Sequence, residues 1–194
     1  MKAIRLALLT SAVLLAPASL AFSQECAKQP VTVGFLPKLD TDPYFKVAQQ
    51  GAEQAAKEIG GKTIQVAPSQ ATAEAQIEFI NSLVSQKVGV IAISANDANA
   101  VAPALKRAAQ QGVKVVSYDS DVAGAAQDIW WNVSDLGYLT YQAAQALAQC
   151  KITGKEGDRF TAGRLGEYTI GAGGELILGP AKIVTPENLA EFKF

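Results

Sequence analysis

The stretch VGVIAISANDANAVAPALKRAAQQGVKVVSYD, residues 88–119, carries a nearly continuous apolar run at each end and a helical pattern between them. Apolar runs without alternation are typical of strands that are covered on both faces, and such strands are usually parallel. The residues between the runs repeat with the period of a helix at Val101, Leu105 and Ala108, and Gly112 marks the helix end. The stretch therefore predicts a strand, a crossover helix and a second, parallel strand.

The same unit is repeated towards the N-terminus. Two further β-rich runs occupy residues 31–36 and 63–68, and each is followed by apolar residues at helical spacing. These helix positions are Ala48, Ala52, Ala55 and Ile59, then Ala73, Ile77, Ile80 and Val84. The order β-α-β-α-β-α-β predicts an α/β fold with a doubly wound parallel sheet, and we expect all four strands to sit inside the sheet.

The residues after 127 predict a smaller addition to this sheet. The short run IWWN, residues 129–132, precedes one more helical pattern across residues 139–146. The segments GRLGEYTI, 163–170, and GELILG, 174–179, are then predicted to pair with each other. Together they would form a small C-terminal β-hairpin extension.

The chain opens with the layout of a secretory signal peptide. Lys2 and Arg5 precede an apolar run, and small residues lead to a cleavage position after Ala21. The apolar run is too short to span a bilayer, and the residues before Cys26 lack the small apolar pattern of a lipoprotein signal. We therefore expect residues 1–21 to be removed and the remainder to be exported, without a lipid anchor, to a bacterial periplasm.

Composition narrows the class of function. The 173 residues after the predicted cleavage are the size of one domain. They carry 15 basic and 18 acidic side chains, and this mild negative charge argues against a nucleic-acid partner. The sequence has no histidine, which excludes Ser-His and Cys-His pairs and histidine-bearing zinc sites. We expect a protein that is not an enzyme and that needs neither a metal nor a cofactor.

The two cysteines, Cys26 and Cys150, leave two interpretations open. An oxidising compartment would allow a disulfide, but only Cα atoms within roughly 7 Å of each other can be bridged. Cys26 lies near the N-terminus and Cys150 at a predicted helix end, so we favour two separate thiols over a bridge.

Polar and aromatic residues gather where the predicted strands end. In an open parallel sheet, ligands bind beyond the carboxyl ends of the strands. Carboxylates accept hydrogen bonds from sugar hydroxyls, lysine and amide groups donate to them, and aromatic rings cover the apolar side of a sugar ring. The candidate ligand-binding residues are Lys38, Asp40, Tyr44 and Phe45 after the first strand, Asn96 after the third, Asp119 and Asp121 after the fourth, and Asn132 beyond them.

Simpler structural roles compete with this interpretation. Asp42 with Pro43 would start the first helix, and Asp97 or Asn99 would cap the third. Loops at strand ends are polar in any case. Three strand ends with the same chemistry nevertheless favour a site for a polyhydroxylated ligand.

Longer segments of the chain resemble a known family. VTVGFLPKLDTDPYFKVAQQGAEQAAKEIGG, the run QIEFINSLVSQKVGVIAISANDANAVAPALKRAAQQGVKVVSYDSD and the closing TPENLAEFKF are similar to the substrate-binding proteins of ABC sugar importers, which have the periplasmic binding protein type I fold. The likeness is greatest to the rhamnose-binding proteins and their autoinducer-2-binding relatives. It implies a monosaccharide ligand and a permease partner in the inner membrane. It also implies that Lys38 and Asp119 contact the ligand. Tyr44 and Phe45 would take the place of the aromatic residues that pack on both sides of the sugar in sugar-binding relatives.

The resemblance also reveals a difference from the family. Its members have two similar lobes that clamp the ligand, yet the sequence after Gln127 resembles the segment by which the chain returns to the first lobe. We expect residues 22–127 to form a single sugar-binding lobe and residues 128–194 to complete it. Most of the second lobe would then be missing between about 127 and 130.

The predicted function is therefore that of a periplasmic solute-binding component of an ABC carbohydrate importer, which binds a monosaccharide such as rhamnose weakly. One alternative is binding and uptake of autoinducer-2 on the same scaffold. The other is a non-catalytic interaction module that dimerises through its exposed cleft face. The sequence does not decide the oligomeric state.

Overall fold

A four-stranded parallel sheet is the central element of the computed structural model, which describes residues 26–119 and 133–179. The strands are β1 (Thr32–Leu36), β2 (Lys62–Gln65), β3 (Val90–Ile93) and β4 (Lys114–Ser117). Their spatial order is β2-β1-β3-β4, and every neighbouring pair is parallel. The prediction of four parallel strands is confirmed.

The positions of the strands within the sheet differ from the expectation. Within the described ranges, only β1 and β3 have a strand on both sides, whereas we expected all four strands to lie inside the sheet. All four residues of β3 are buried, whereas those of β2 and β4 are partly or fully exposed. Edge strands can carry apolar residues on both faces when helices cover them, which is why composition alone did not separate them from the interior strands.

Four helices accompany the sheet: α1 (Pro43–Glu58), α2 (Ala73–Ser85), α3 (Ala98–Gln110) and α4 (Val133–Ala148). The side chains of Asp42, Thr72 and Asp97 accept hydrogen bonds from amides in the first turns of α1, α2 and α3. Asp42 and Asp97 therefore perform the capping role that the simpler interpretation assigned to them.

The helices cover both faces of the sheet, as a doubly wound fold requires. Alternate strand residues such as Phe35 and Val90 pack with α1 and α4 in one buried cluster. The intervening residues, such as Leu36 and Ile91, pack with α2 and α3 in a second cluster. This division follows from the two-residue period of a strand.

Two glycines bring α1 and α4 into backbone contact. A β-carbon at Gly137 would overlap the Ala48 carbonyl, and one at Gly51 would overlap the carbonyl of Ser134. Any larger side chain at either position would push the helices apart. Helix α4 therefore lies in the same layer as α1 and helps to enclose the buried cluster on that face of the sheet.

Cys26 and Cys150 form a disulfide, with their Cα atoms 5.4 Å apart. The expectation of two separate thiols is wrong because the segment before β1 runs along the end of α4. The Ala27 amide donates to the Ala148 carbonyl at 3.0 Å, and Val31 exchanges two hydrogen bonds with the Gln145 side chain. These contacts bring together two cysteines that are 124 positions apart in the sequence.

A small antiparallel hairpin follows α4, and its strands are β5 (Arg159–Thr161) and β6 (Glu167–Thr169). The predicted pairing of residues 163–170 with 174–179 is wrong, because residues 167–169 pair with the preceding residues 159–161 and the described residues 174–179 contain no strand. Phe160 packs against α4 residues and anchors β5. Strand β5 has three residues, of which only Phe160 is buried, so it shows too little alternation to be recognised in the sequence.

Several expectations lie outside the described residues. They are the signal peptide at 1–21, the IWWN strand at 129–132 and the lobe boundary near 127–130. No helix of the described ranges combines the length and the apolarity that crossing a bilayer requires.

Candidate functional site

The carboxyl ends of β1 and β3 mark the switch point of the sheet. From β1 the chain winds outwards to β2 and then returns to the other side of β1 to form β3. In doubly wound sheets, the crevice at such a point is where ligands bind. The candidate site lies here and is called the strand-end rim, defined by Lys38, Tyr44, Ser94, Asn96, Tyr118 and Asp119.

An ion pair joins the ends of β1 and β4 at the rim. Lys38 Nζ lies 3.2 Å from Asp119 Oδ2, and the two side chains are 32% and 23% exposed. The Ser94 hydroxyl donates to the same carboxylate oxygen at 2.7 Å, and the Tyr44 side chain is also hydrogen bonded to Asp119. The expected convergence of Lys38 and Asp119 is therefore confirmed, whereas their contact with a ligand remains a prediction.

Asp119 has an unusual backbone conformation. Its φ of 62° lies in the left-handed region, as do those of Lys87 and Cys150. Lys87 and Cys150 each follow the last turn of a helix, where this conformation is common, but Asp119 follows a strand. Aspartate tolerates the left-handed region better than most residues. The Asp119 carboxylate contacts Lys38 and Ser94, and non-glycine residues in this backbone region are often found at functional sites.

The side chain of Gln76 connects the loops after β1 and β3 through buried hydrogen bonds. This side chain has no exposed surface. Its amide nitrogen donates to the carbonyls of Pro37 and Ser94 at 3.0 and 2.8 Å, and its oxygen accepts from the Asn96 amide at 2.8 Å. The Asn96 side chain in turn donates to the Lys38 carbonyl at 3.1 Å. The loops after β1 and β3 are therefore tied together before any ligand arrives.

Gln76 was missed in the sequence, although a signal for it existed. It occupies a buried position on α2, between the apolar residues Ala73 and Ile80. A long polar side chain on the apolar face of a helix needs hydrogen-bond partners in the core. Asn96 was identified as a ligand contact, but the structure shows it in a positioning role, and its contact with a ligand remains a prediction.

Aromatic rings form the inner side of the rim. Tyr44 meets Phe45 edge-on with ring centroids 5.0 Å apart, Phe45 meets Tyr118 edge-on at 6.4 Å, and Tyr118 stacks on Phe35 at 4.6 Å. Phe45 is only 5% exposed, so packing in the core accounts for its position without a ligand. Its proposed role as a platform for a sugar remains a prediction, while Tyr44 is less buried and borders the Lys38–Asp119 pair.

The rim also keeps its tyrosines protonated. Burial raises the pKa of Tyr44, and the charge of Asp119 and its hydrogen bond raise it further. Burial likewise raises the pKa of Tyr118, with additional contributions from Asp119 and Tyr44. Both hydroxyls are therefore neutral at physiological pH and can donate and accept hydrogen bonds.

The remaining predicted site residues are not part of this cluster. Asp40 lies on an exposed loop, where its backbone amide donates to the Pro68 carbonyl at 2.9 Å. Asp121 and Asn132 lie outside the described residues. A cavity of about 320 Å³ lies at the amino ends of the strands, beside Pro30 and Ile59, and is thus separate from the rim. Residues 26–119 and 133–179 assemble no group of three potential metal ligands.

Known proteins share both sequence and fold with this chain. A family model described as the periplasmic binding protein domain matches residues 33–157, which is more than half of the chain. The ABC transporter periplasmic-binding protein YphF of Escherichia coli (strain K12) is 31% identical over 98 residues, which cover 48% of this chain and 29% of YphF. The chain therefore matches less than a third of the length of this curated relative.

Two solved structures are similar over most of the chain. A sugar ABC transporter from Actinomyces odontolyticus has a TM-score of 0.78 and 21% identity, and the match covers 84% of this chain and 97% of that one. An ABC transporter solute binding protein from Clostridium phytofermentans with bound L-rhamnose has a TM-score of 0.77 and 20% identity, over 84% and 98% of the two chains. These likenesses establish the fold, and the family model, which extends over more than half of the sequence, shows that this chain belongs to the periplasmic binding protein family.

Proposed function

We propose that this chain is a non-catalytic sugar-binding component of an ABC importer, exported to the periplasm by the signal peptide predicted at residues 1–21. The observation that carries the proposal is the partly exposed Lys38–Asp119 ion pair at the switch point of the sheet. The permease of the importer would be its partner in the inner membrane. Residues 22–127 would supply the binding lobe, and residues 128–194 would complete it.

The ion pair has the chemistry that a sugar requires. A hydroxyl of a monosaccharide can donate to the Asp119 carboxylate while another accepts from the Lys38 ammonium. Both side chains retain some exposure, so a ligand can reach them without unfolding of the loops. The Asp119 carboxylate is held by Ser94 and Lys38, so little conformational freedom is lost when a ligand binds.

The affinity of this chain alone should be low if the second lobe is missing, as we propose. A micromolar dissociation constant corresponds to about −8 kcal/mol, and half of that free energy corresponds to a millimolar constant. Closure of two lobes also removes water from the cleft, which strengthens the polar contacts. We therefore expect dissociation constants of roughly a millimolar or weaker for the single lobe.

NMR titration of the labelled protein tests the proposal, because it detects millimolar binding. L-rhamnose is the first ligand of a monosaccharide panel, since the Clostridium phytofermentans structure with the same fold holds it. Lys38→Ala and Asp119→Asn should each weaken binding at least tenfold. Lys57→Ala is the control, because Lys57 is exposed in the last turn of α1, away from the rim. No spectral change with any sugar at tens of millimolar would refute the proposed function.

Autoinducer-2 is the second candidate ligand. Lys38 and Asp119 are the positions at which the resemblance implies contact with this molecule, and the structure places them 3.2 Å apart. Competition between L-rhamnose and autoinducer-2 in the same titration separates the two ligands. The interaction-module alternative predicts a dimer, so a mass of one chain by light scattering would count against it.

A further inference from the structure

The side chain of Tyr118 ends in a hydroxyl that has no hydrogen-bond partner. The residue is 5% exposed, and its hydroxyl oxygen is buried without a donor or an acceptor. Buried polar groups are nearly always paired, since an unpaired one loses its hydrogen bonds to water without compensation. A phenylalanine would fill the same space between Phe35 and Phe45 without this cost.

The other tyrosines of the chain show how unusual this is. The sequence has five tyrosines, and all of them lie in the described ranges. The hydroxyls of the other four bond as follows: Tyr44 to Asp119, Tyr138 to Glu58 and the Arg164 amide, Tyr141 to Gln145 and the Lys62 carbonyl, and Tyr168 to the Leu178 carbonyl. Tyr118 is the exception, and it is also the one that immediately precedes Asp119.

The position of the unpaired hydroxyl points to the rim. The ring is fixed by stacking on Phe35 and by the edge contact with Phe45, so its direction is set by the core. Tyr118 directly precedes Asp119 in the chain, and burial together with the Asp119 charge raises the pKa of the Tyr118 hydroxyl. The hydroxyl therefore belongs to the same polar cluster as the groups proposed to bind a sugar.

We propose that the Tyr118 hydroxyl is a ligand-binding group of the strand-end rim and pairs with a sugar hydroxyl that also contacts Asp119. This inference rests on the proposed function. A sugar hydroxyl both donates and accepts, so it can pair with a neutral phenol and a carboxylate at the same time. Tyr118 would then favour sugars that carry a hydroxyl at one particular ring position, because an analogue without it leaves the phenol unpaired again.

Tyr118→Phe tests the inference, with Tyr141→Phe as the matched control. Tyr118→Phe should weaken binding of L-rhamnose, or of the monosaccharide of the panel that binds most tightly, by about three- to tenfold. It should leave the urea midpoint of the free protein unchanged or raise it. Tyr141→Phe should leave sugar binding unchanged and lower the urea midpoint. It removes a hydroxyl that is bonded to Gln145 and lies away from the rim.

Singly deoxygenated analogues of the same sugar identify the contact. For one analogue, the loss of affinity relative to the parent sugar should be smaller on Tyr118→Phe than on the unsubstituted protein, because only the contact with Asp119 is then left to lose. Equal affinity of Tyr118→Phe and the unsubstituted protein for the sugar would overturn this inference alone. The inference would also be overturned if Tyr118→Phe weakened the binding of every analogue by the same factor. If the unsubstituted protein binds no sugar, the proposed function and this inference fail together.

Discussion

Breaking the disulfide between Cys26 and Cys150 should remove a large part of the free energy of unfolding. The bridge joins residues that are 124 positions apart, and a cross-link lowers the entropy of the unfolded chain by an amount that grows with the logarithm of the loop length. For a loop of this size the stabilisation is about 5 kcal/mol. Domains are stable by roughly 5–15 kcal/mol, so the variant with both cysteines replaced by alanine should be marginal.

Urea denaturation followed by circular dichroism measures this effect. With a denaturant dependence of about 2 kcal/mol per molar urea, the loss lowers the midpoint by about 2.5 M. Three samples are compared, namely the oxidised protein, the reduced protein and the double variant Cys26→Ala/Cys150→Ala. Reductant should shift the midpoint of the first sample and have no effect on the double variant, and the unfolded oxidised protein should show no reactive thiols.

A difference below about 1 kcal/mol between the oxidised protein and the double variant would refute the reasoning. The thiol measurement shows which step failed. Two reactive thiols in the unfolded, unreduced protein would mean that the bridge does not form. No thiols together with an unchanged midpoint would mean that the segment before β1 separates from α4 without loss of the remaining fold.

Three further predictions concern packing, the buried amide and alkaline pH. Gly137→Ala should lower the free energy of unfolding by about 1–3 kcal/mol or more, because its β-carbon would overlap the α1 backbone; Gly171→Ala, which has room, should be close to neutral in the same urea assay. Gln76→Leu should lower the free energy of unfolding by about 2–4 kcal/mol, because it leaves two buried carbonyls and the partly buried Asn96 backbone amide unpaired. An unchanged urea midpoint would contradict the network described for the rim. The pKa values of Tyr44 and Tyr118 are raised above 10 by folding, so the unfolded chain loses these protons first and stability should fall as the pH rises above about 10. Thermal midpoints between pH 8 and 11 measure this decline in stability, and the decline should be shallower in Tyr118→Phe. If absorbance at 295 nm shows that all tyrosines of the folded protein titrate together near pH 10, the raised pKa values are contradicted.

Much of the site could be predicted because its geometry follows from the order of the strands. Parallel strands end at the same edge of a sheet, so Lys38 after β1 and Asp119 after β4 were expected to converge, and they do. The individual roles were harder to assign. Phe45 and Asn96 carry the right chemistry for a ligand, but the structure uses one in the core and the other to hold the loop after β1.

The sequence by itself determined the four strands of the parallel sheet, the helices and the caps at Asp42 and Asp97, because periodicity and capping depend on residues within a few positions of one another. It also determined which residues follow each strand, and through the parallel topology it placed Lys38 and Asp119 at one edge. Only the tertiary structure decided that Cys26 meets Cys150, that Gln76 supports the rim and that residues 159–161 pair with 167–169. Each of these depends on how α4, α2 or the hairpin docks on the rest of the chain, and docking is set by three-dimensional packing between segments that are distant in sequence.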